Sequence, residues 1–275
     1  MSTLQSALPC PALRELVRAY AQRTTGATAV PVIQRVPASL EVVLGFEFGS
    51  LLTVDYLDGS SEPAHRIALV GSHCFPNATL TLGAGVESFA IFLQPTALQR
   101  LLGIPTHHLA DRSCAAADVL GPGVEALWSD LAEAPSFEER VRLSETYLLR
   151  MLDHGAPSTI AHVAMDAFRG HGRQGVVEMA GLASLSVRQF ERQFEKELGM
   201  PPKRFARIAR FQFALDAKLV DPSRSWLGVA LDAGYYDQMH LVRDFHSLSG
   251  VSPTQLVAEL GDTRPPALAG SDAPD

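Results

Sequence analysis

Residues 186–202 read SVRQFERQFEKELGMPP, and this stretch decides how the second half of the chain is interpreted. Its apolar residues recur at helical spacing and its other side is cationic, while a glycine and two prolines predict where the helix ends. The same skeleton returns fifty-one residues later. The matching pairs are Arg192 and Arg243, Phe194 and Phe245, Gly199 and Gly250, and Pro202 and Pro253. A repeat this regular predicts a duplicated supersecondary unit.

The first copy, VVEMAGLASLSVRQFERQF at residues 176–194, predicts two short helices with a tight turn at residues 183–185. Ser186 is expected to cap the second helix, and Gln189 completes a capping box. Helical spacing places Val187, Phe190 and Phe194 on the inner face. Four charged residues are then left on the outer face: Arg188, Glu191, Arg192 and Glu195. Arginines at the exposed start of such a helix can reach base edges in the major groove of DNA or hold a phosphate.

The second copy, WLGVALDAGYYDQMHLVRDF at residues 226–245, repeats this pattern. Ser225 and Asp237 are expected to cap its two helices, and Gly234 occupies a turn position that favours left-handed backbone. Ala180 and Ala230 are 50 residues apart, whereas the two phenylalanines of the repeat are 51 apart. One extra residue is therefore expected between the turn and the end of the second outer helix.

The segment that joins the copies, PPKRFARIARFQFALDAKLV at residues 201–220, has one apolar stripe and predicts a single long helix. Four basic residues cluster in its first half: Lys203, Arg204, Arg207 and Arg210. A rigid helix between the two copies would hold both of them on one face of DNA, about one helical turn apart. The basic residues would add contacts to phosphates.

Together SVRQFERQF, LGMPPKRFARIARFQFAL and ALDAGYYDQMHLVRDFHSLSGVSP resemble the DNA-binding domain of the AraC/XylS family of bacterial transcription regulators. The resemblance implies seven helices with two helix-turn-helix units, double-stranded DNA as partner, and action with RNA polymerase at promoters, often as an activator. The base-reading positions that it implies are Arg188, Glu191, Arg192, Gln238, Met239, His240 and Arg243. The phosphate contacts that we expect are Ser186, Lys203, Arg204 and Arg207. The sequence departs from the family at Ser184, where glycine is usual, and at residues 239–241.

The first half of the chain predicts a different architecture. Residues 11–23 match an amphipathic helix, and residues 29–94 consist of short β-branched and aromatic runs separated by turn residues. Two further helices are expected over about residues 122–153. We therefore predict an α+β protein: a small β-barrel or sandwich with flanking helices over residues 1–154, a helical DNA-binding domain over 158–260, and a disordered tail over 261–275. The break at residues 154–157, HGAP, sets the boundary.

This N-terminal segment more weakly resembles the β-rich sensor domain of some members of the same family. The resemblance implies regulation by a small-molecule effector, or homodimerisation, without naming a ligand. The alternatives remain open at this point.

Composition narrows the classes of function. The net charge is −7, but residues 169–260 carry 12 basic against 10 acidic side chains, so the positive charge lies with the repeat. Three scattered cysteines, the lack of a signal-peptide pattern and the lack of a long apolar run predict a cytoplasmic protein without a membrane segment. The histidines and cysteines show no metal-ligand spacing, and no catalytic motif is present. We therefore expect no metal, no cofactor and no enzymatic activity.

Two alternatives to a transcription regulator remain open. A DNA-repair alkyl transferase can carry the same DNA-binding module, but it would need a reactive or zinc-binding set of cysteines. An interaction protein that has lost DNA binding would keep the helices and lose the function of the arginines.

Overall fold

The structure is a computed structural model that describes residues 2–76, 78–104, 106–152, 157–261 and 263–270. Its first half contains two antiparallel sheets. The larger sheet has the strand order β1-β2-β9-β4-β7-β10 and the smaller sheet the order β3-β8-β5-β6. The strands are β1 Ser2–Ala7, β2 Val17–Thr25, β3 Val32–Val36, β4 Val42–Glu47, β5 Thr53–Tyr56, β6 Ser61–Pro63, β7 Ile67–Val70, β8 Ala78–Leu82, β9 Glu87–Leu93 and β10 Ser113–Ala115. The described strands form two separate sheets, and residues of both sheets line one cavity, so the sandwich form of the prediction is confirmed.

Residues 11–23 are not a helix, and this prediction is wrong. They form a 3-10 turn at Pro11–Leu13 followed by β2, which pairs with β1 on one side and β9 on the other. Most of β2 is buried on both faces, so its apolar residues do not alternate as they would in a half-exposed strand. A pattern buried on both faces can match helical spacing by coincidence, and pairing with distant strands decides the outcome.

Four helices follow the sheets: α1 Ala97–Leu102, α2 Ala117–Leu120, α3 Gly123–Glu133 and α4 Phe137–Arg150. A 3-10 turn at Thr106–Leu109 lies between α1 and β10. The helices expected over residues 122–153 are thus confirmed as α3 and α4, with Ser136 capping α4 through the backbone N–H of Glu139. These helices and the larger sheet enclose a core in which Phe89 contacts Tyr20, Phe46 and Phe137.

The predicted domain boundary at residues 154–157 lies almost entirely outside the described residues. Beyond it the chain forms α5 Thr159–Arg169, α6 Val176–Leu182, α7 Val187–Leu198, α8 Pro202–Val220, α9 Trp226–Asp232, α10 Gln238–Ser249 and α11 Pro253–Leu260. These seven helices agree with the number that the family resemblance implies. A second aromatic core lies among them. This core also takes in Ala38, Leu40 and Cys74 from the first half, so the two halves pack against each other directly.

Buried polar contacts reinforce this packing. Arg18 of β2 forms ion pairs with Glu41, just before β4, and with Asp216 of α8. The side chain of Gln212 bridges the same region, because its amide donates to Glu41 at 2.6 Å and its carbonyl accepts from the backbone N–H of Leu40 at 3.0 Å. The spacer helix α8 is therefore fixed to the β-sheet half by charge as well as by apolar contact.

The sequence predicts a disordered tail over residues 261–275, but part of this tail forms a helix. Residues 263–270 include a short helix, α12 Pro266–Gly270, that packs against α8 and against β1 and β2. Arg264 pairs with Asp216 at 2.6 Å, and the backbone N–H of Ala267 donates to the hydroxyl of Ser6 at 3.1 Å. The prediction of disorder is wrong for these residues because a biased composition says nothing about such contacts. Residues 262 and 271–275 lie outside the described part of the chain.

In the described ranges, no helix is both long enough and apolar enough to cross a membrane.

Candidate nucleic-acid interface

Two helix-turn-helix units, α6–α7 and α9–α10, carry the repeat found in the sequence. In the first, the N–H of Leu185 donates to the carbonyl of Ala180 at 3.0 Å, and in the second the N–H of Tyr235 donates to that of Ala230 at 2.9 Å. Ala180 and Ala230 are both buried, as the close crossing of the two helices requires. The turns are thus equivalent at a spacing of 50 residues.

The two outer helices, α7 and α10, begin with the caps that the sequence predicts. The Ser186 hydroxyl accepts from the Gln189 N–H, and the Gln189 side chain accepts from the Ser186 N–H, which completes the capping box. The Asp237 carboxylate accepts from the His240 N–H at 2.7 Å. Since caps satisfy N–H groups that would otherwise have no partner, both helices have a defined start where a groove-reading helix must be most ordered.

Both outer helices are anchored on α8 in the same way. Phe194 of α7 makes an edge-to-face contact with Phe205, with centroids 5.4 Å apart, and Phe245 of α10 makes one with Phe211 at 4.7 Å. All four rings are fully buried. The two repeat-related phenylalanines therefore fix the two outer helices at successive positions along one spacer.

The outer face of α7 is exposed as predicted. Arg188, Glu191 and Arg192 all lie in contact with solvent, and the same is true of Glu195. Val187 is an exception to the predicted inner face, since 38% of it is exposed. Val187 is the first residue of α7, so no preceding helical turn covers its side chain.

The outer face of α10 carries Gln238, Met239 and Arg243, all exposed. His240 differs because it is half-buried and its ring packs edge-on against Tyr235, with centroids 5.1 Å apart. Six of the seven predicted base-reading residues are therefore exposed. The seventh, His240, packs against the turn that precedes α10.

Sequence reasoning missed Tyr236, the residue that distinguishes the two copies. The turn positions match at a spacing of 50, whereas the caps Ser186 and Asp237 match at 51, so the inserted residue lies between Tyr235 and Asp237. Tyr236 is 88% exposed and lies directly before the start of α10. The unequal spacing of the alanines and phenylalanines pointed to an insertion here, but hydrogen bonds were needed to place it.

The predicted phosphate contacts divide into two groups. Ser186 and Lys203 are exposed. Arg207 instead pairs with the buried carboxylate of Asp244 on α10 at 2.8 Å, and Arg204, although exposed, hydrogen-bonds to the thiol of Cys74 in the first half. Both arginines therefore already have contacts within the protein, which orient α8.

The first turn shows the strain that its sequence predicts. Ser184 has a φ of 55°, whereas the equivalent Gly234 has a φ of 79°. Left-handed backbone costs a residue with a side chain about 1–2 kcal/mol, and glycine avoids that cost. The first turn is therefore held in its conformation by the surrounding helices.

We expect Ser184→Gly to raise the free energy of unfolding by about 0.5–1 kcal/mol, because relief of strain exceeds the added flexibility of glycine. The matched variant Gly234→Ala should lower it by about 1–2 kcal/mol. There the new Cβ would also lie 3.3 Å from Cγ of Arg173. Urea denaturation measures both changes. A loss of stability in Ser184→Gly would contradict this account of the turn.

The cysteines bear on the alkyl-transferase hypothesis. Burial raises the pKa of the Cys74 thiol to about 11, and burial also raises the pKa values of Cys10 and Cys114. A reactive thiol needs a lowered pKa. Within the part of the chain that the structure describes, no three His, Cys, Asp or Glu side chains are grouped to hold a metal ion.

Comparison with known proteins agrees with this geometry. Residues 179–259 match a family described as a helix-turn-helix domain. An uncharacterized HTH-type transcriptional regulator of Haemophilus influenzae is 34% identical over 80 residues, which are 29% of this chain and 26% of that protein. The chain therefore matches about a quarter of the length of this curated relative.

Solved structures with a similar fold include ToxT from Vibrio cholerae. One ToxT structure has a TM-score of 0.50 at 8% identity and covers 94% of this chain and 98% of its own. Another has a TM-score of 0.50 at 9% identity, covering 94% and 97%. At such low identity the likeness concerns the fold alone, and it spans both halves. Residues 179–259 therefore form a helix-turn-helix domain, and the chain as a whole, with its β-rich N-terminal domain, has a fold similar to that of ToxT.

Proposed function

We propose that the chain is a sequence-specific DNA-binding transcription regulator whose N-terminal domain binds a small-molecule effector. The observation that carries the proposal is the pair of capped, exposed helices α7 and α10 fixed on one spacer helix. Two such helices on one rigid support suit two successive major-groove segments, since the groove returns to the same face once per helical turn. The proposed activity is binding and not catalysis.

Each proposed DNA contact has a distinct role. The base readers are Arg188, Glu191 and Arg192 on α7, and Gln238, Met239, His240 and Arg243 on α10. Arginine binds guanine through two parallel hydrogen bonds, so the three arginines should contribute most to sequence preference. Tyr236 is an additional proposed contact, because an aromatic ring exposed to this extent directly before α10 would meet the DNA backbone or the edge of the groove.

Ser186 and Lys203 are the proposed phosphate contacts of the unbound protein. Arg204 and Arg207 can contact phosphates only if they give up their contacts with Cys74 and Asp244 when DNA binds. RNA polymerase is the protein partner that an activator at a promoter would need, and the cytoplasm is the compartment in which it would act. Homodimerisation belongs to the same proposal, and the symmetry of the DNA site will test it.

The effector role rests on a cavity of about 500 Å³ between the two sheets. Its volume lies within the range of small-molecule sites. Glu41 and Arg264 lie in its wall, and both belong to the charged cluster that fixes α8 to the N-terminal domain. A ligand in the cavity would thus contact the groups that set the position of the DNA-reading half.

The proposed DNA contacts are tested by selecting binding sites from random DNA and then measuring affinity for the selected site. We expect Arg192→Ala and Arg243→Ala each to weaken binding by about 1–3 kcal/mol, or roughly tenfold to a hundredfold, and to relax preference at a local set of base pairs. Lys203→Ala should weaken binding on all sequences and reduce its salt dependence. The control is Arg142→Ala, because Arg142 is exposed on α4 of the N-terminal domain.

Selection that yields no preferred sequence would refute the proposal. So would full affinity in both arginine variants, which would favour the interaction-only hypothesis.

A further inference from the structure

The cavity between the sheets exists because the inward positions of its strands carry small residues. Alternate residues of β4 face it, namely Val43, Gly45 and Glu47, while the intervening Val42, Leu44 and Phe46 pack into the helical side of the domain. The facing positions on neighbouring strands are also small, including Ala68, Ser88 and Ala90. The wall is mainly apolar, and Leu268 of α12 and Pro265, just before that helix, form part of it.

Among the described residues, the buried carboxyl group of Glu47 in this wall has no ion-pair partner. Glu47 ends β4 on the inward face and is 7% exposed. Its backbone is satisfied, since its N–H donates to the carbonyl of Arg66 and its carbonyl accepts from the Trp128 indole, both at 2.9 Å. Its Oε2 is buried and has no hydrogen-bond partner among the described residues. Burial raises the pKa of this carboxyl to about 8, so without a cation beside it the group is mostly protonated at neutral pH.

The buried charged groups elsewhere in the wall already have partners. Arg23 donates to Gln34 and to the carbonyl of Thr263. Arg35 pairs with Glu259 at 2.9 Å, and Glu41 pairs with Arg18. Nη2 of Arg264 is buried without a hydrogen-bond partner in the described part of the chain, but the charge of Arg264 is balanced by Asp216 at 2.6 Å. Arg23 has no ion-pair partner among the described residues either, but both of its Nη atoms are hydrogen-bonded, whereas Oε2 of Glu47 is not.

We infer that the cavity binds an apolar amine whose protonated nitrogen pairs with the carboxylate of Glu47. An apolar body fits the small-residue walls, and an ammonium group supplies the hydrogen-bond donor and the positive charge that Glu47 lacks. A carboxylic acid in the same position would place two acids together. An adjacent ammonium would lower the pKa of Glu47 and hold the carboxyl ionised, whereas a neutral alcohol would leave it protonated. This inference deepens the proposed effector role by naming the chemical class of the effector.

The test compares three probes with one skeleton in calorimetric titrations of the full chain: naphthylmethylamine, naphthylmethanol and naphthoic acid. We expect the amine to bind at least about tenfold more tightly than the alcohol or the acid, since a favourable charge pair is worth on the order of one tenfold step or more. Glu47→Gln should remove this preference and leave the affinity for the alcohol unchanged. That variant keeps the shape of the side chain, and thermal unfolding checks that it remains folded.

The matched control is Glu62→Gln, because Glu62 also lines the cavity but is exposed and already accepts from the Tyr56 hydroxyl at 2.8 Å. It should retain the preference for the amine. Tighter binding of the acid, a preference that survives Glu47→Gln, or failure of all three probes to bind would overturn the inference. These titrations contain no DNA, so they are independent of the site-selection experiment. An amine that binds without altering DNA affinity would establish the site and refute its role as an effector site.

Discussion

Replacing Arg18 with methionine is expected to lower the free energy of unfolding by about 3–5 kcal/mol. Arg18 is 1% exposed and lies between Glu41 of the N-terminal domain and Asp216 of α8. Its guanidinium carbon also lies 5.2 Å from the centre of the Phe168 ring. Methionine fills similar space but leaves two buried carboxylates with less compensating charge, and Arg264 alone must then balance both. Urea denaturation measures the loss.

The same variant should change how stability depends on pH. Burial alone would raise the pKa of Glu41, but Arg18 and Arg264 outweigh it and lower the pKa from 4.5 to about 2. A lowered pKa means that the stabilisation is present above pH 4.5 and is lost as the pH falls through 2. In Arg18→Met the pKa of Glu41 rises, so this part of the acid-dependent loss should shrink. Unfolding measured across that range of pH tests the shift.

An exposed pair supplies the control for Arg18. Arg142 and Glu139 are separated by 2.5 Å on the surface of α4, where water screens the charges. Arg142→Met should therefore change the free energy of unfolding by less than about 1 kcal/mol. Equal effects of the two substitutions would contradict the view that burial makes the Arg18 cluster a support of the interface between the two halves.

The helical half of the fold could be predicted from the sequence because its signals are local. Ser186, Asp237 and Gly199 mark helix ends by chemistry that acts within one turn. Because the unit is repeated, the same capping and glycine signals occur in both copies. The exposed face of α7 follows directly from helical spacing, which is why Arg188 and Arg192 lie where they were expected.

The sheet half depends on contacts between distant residues. The strands β4, β5, β7, β8 and β9 lie within the short runs predicted over residues 29–94. Strand β2 was not predicted, because it is mostly buried on both faces and so lacks the alternation that marks a half-exposed strand. The same limit explains α12. A tail rich in proline and alanine is held by contacts with residues more than forty positions away in sequence, among them Ser6 and Asp216.

The candidate sites show the same division. The DNA-reading face could be predicted from one helix at a time, whereas Tyr236 could be placed only by comparing hydrogen bonds in the two turns. The cavity and the unpaired Glu47 could not be predicted at all. A glutamate at the end of a strand with an apolar neighbour on each side reads as an ordinary exposed residue until both sheets are in place.

Replacing Gly172 with alanine is the second substitution with a large expected effect, a loss of about 3 kcal/mol or more in the free energy of unfolding. Gly172 lies in the turn between α5 and α6 with a φ of 65°. A Cβ there would lie 1.9 Å from the carbonyl oxygen of Ala206 in α8. Since that oxygen is backbone, no side-chain rotation can relieve the overlap, and the turn or the spacer helix must move.

Movement at this point has a direct structural cost. The carbonyl of Gly172 accepts from Nη2 of Arg210 at 2.9 Å, and its N–H donates to the carbonyl of Ala167 at 2.8 Å. The first bond ties the turn to α8, and the second ties it to α5, the helix that precedes it. A shift of α8 would also displace Phe205, on which α7 is anchored, so we expect DNA affinity to fall along with stability.

Gly103→Ala separates the two causes of this loss. Gly103 ends α1 with a φ of 66°, almost the same backbone as Gly172, but a Cβ there meets nothing within 4 Å. Its substitution should cost only the left-handed strain, about 1–2 kcal/mol, and should leave DNA affinity unchanged. If the two alanine variants lose equal stability in urea, the contact between the turn and α8 is looser than the structure has it. The spacer would then be free to shift, and the fixed spacing of α7 and α10 on which the proposed DNA reading depends would lose its support.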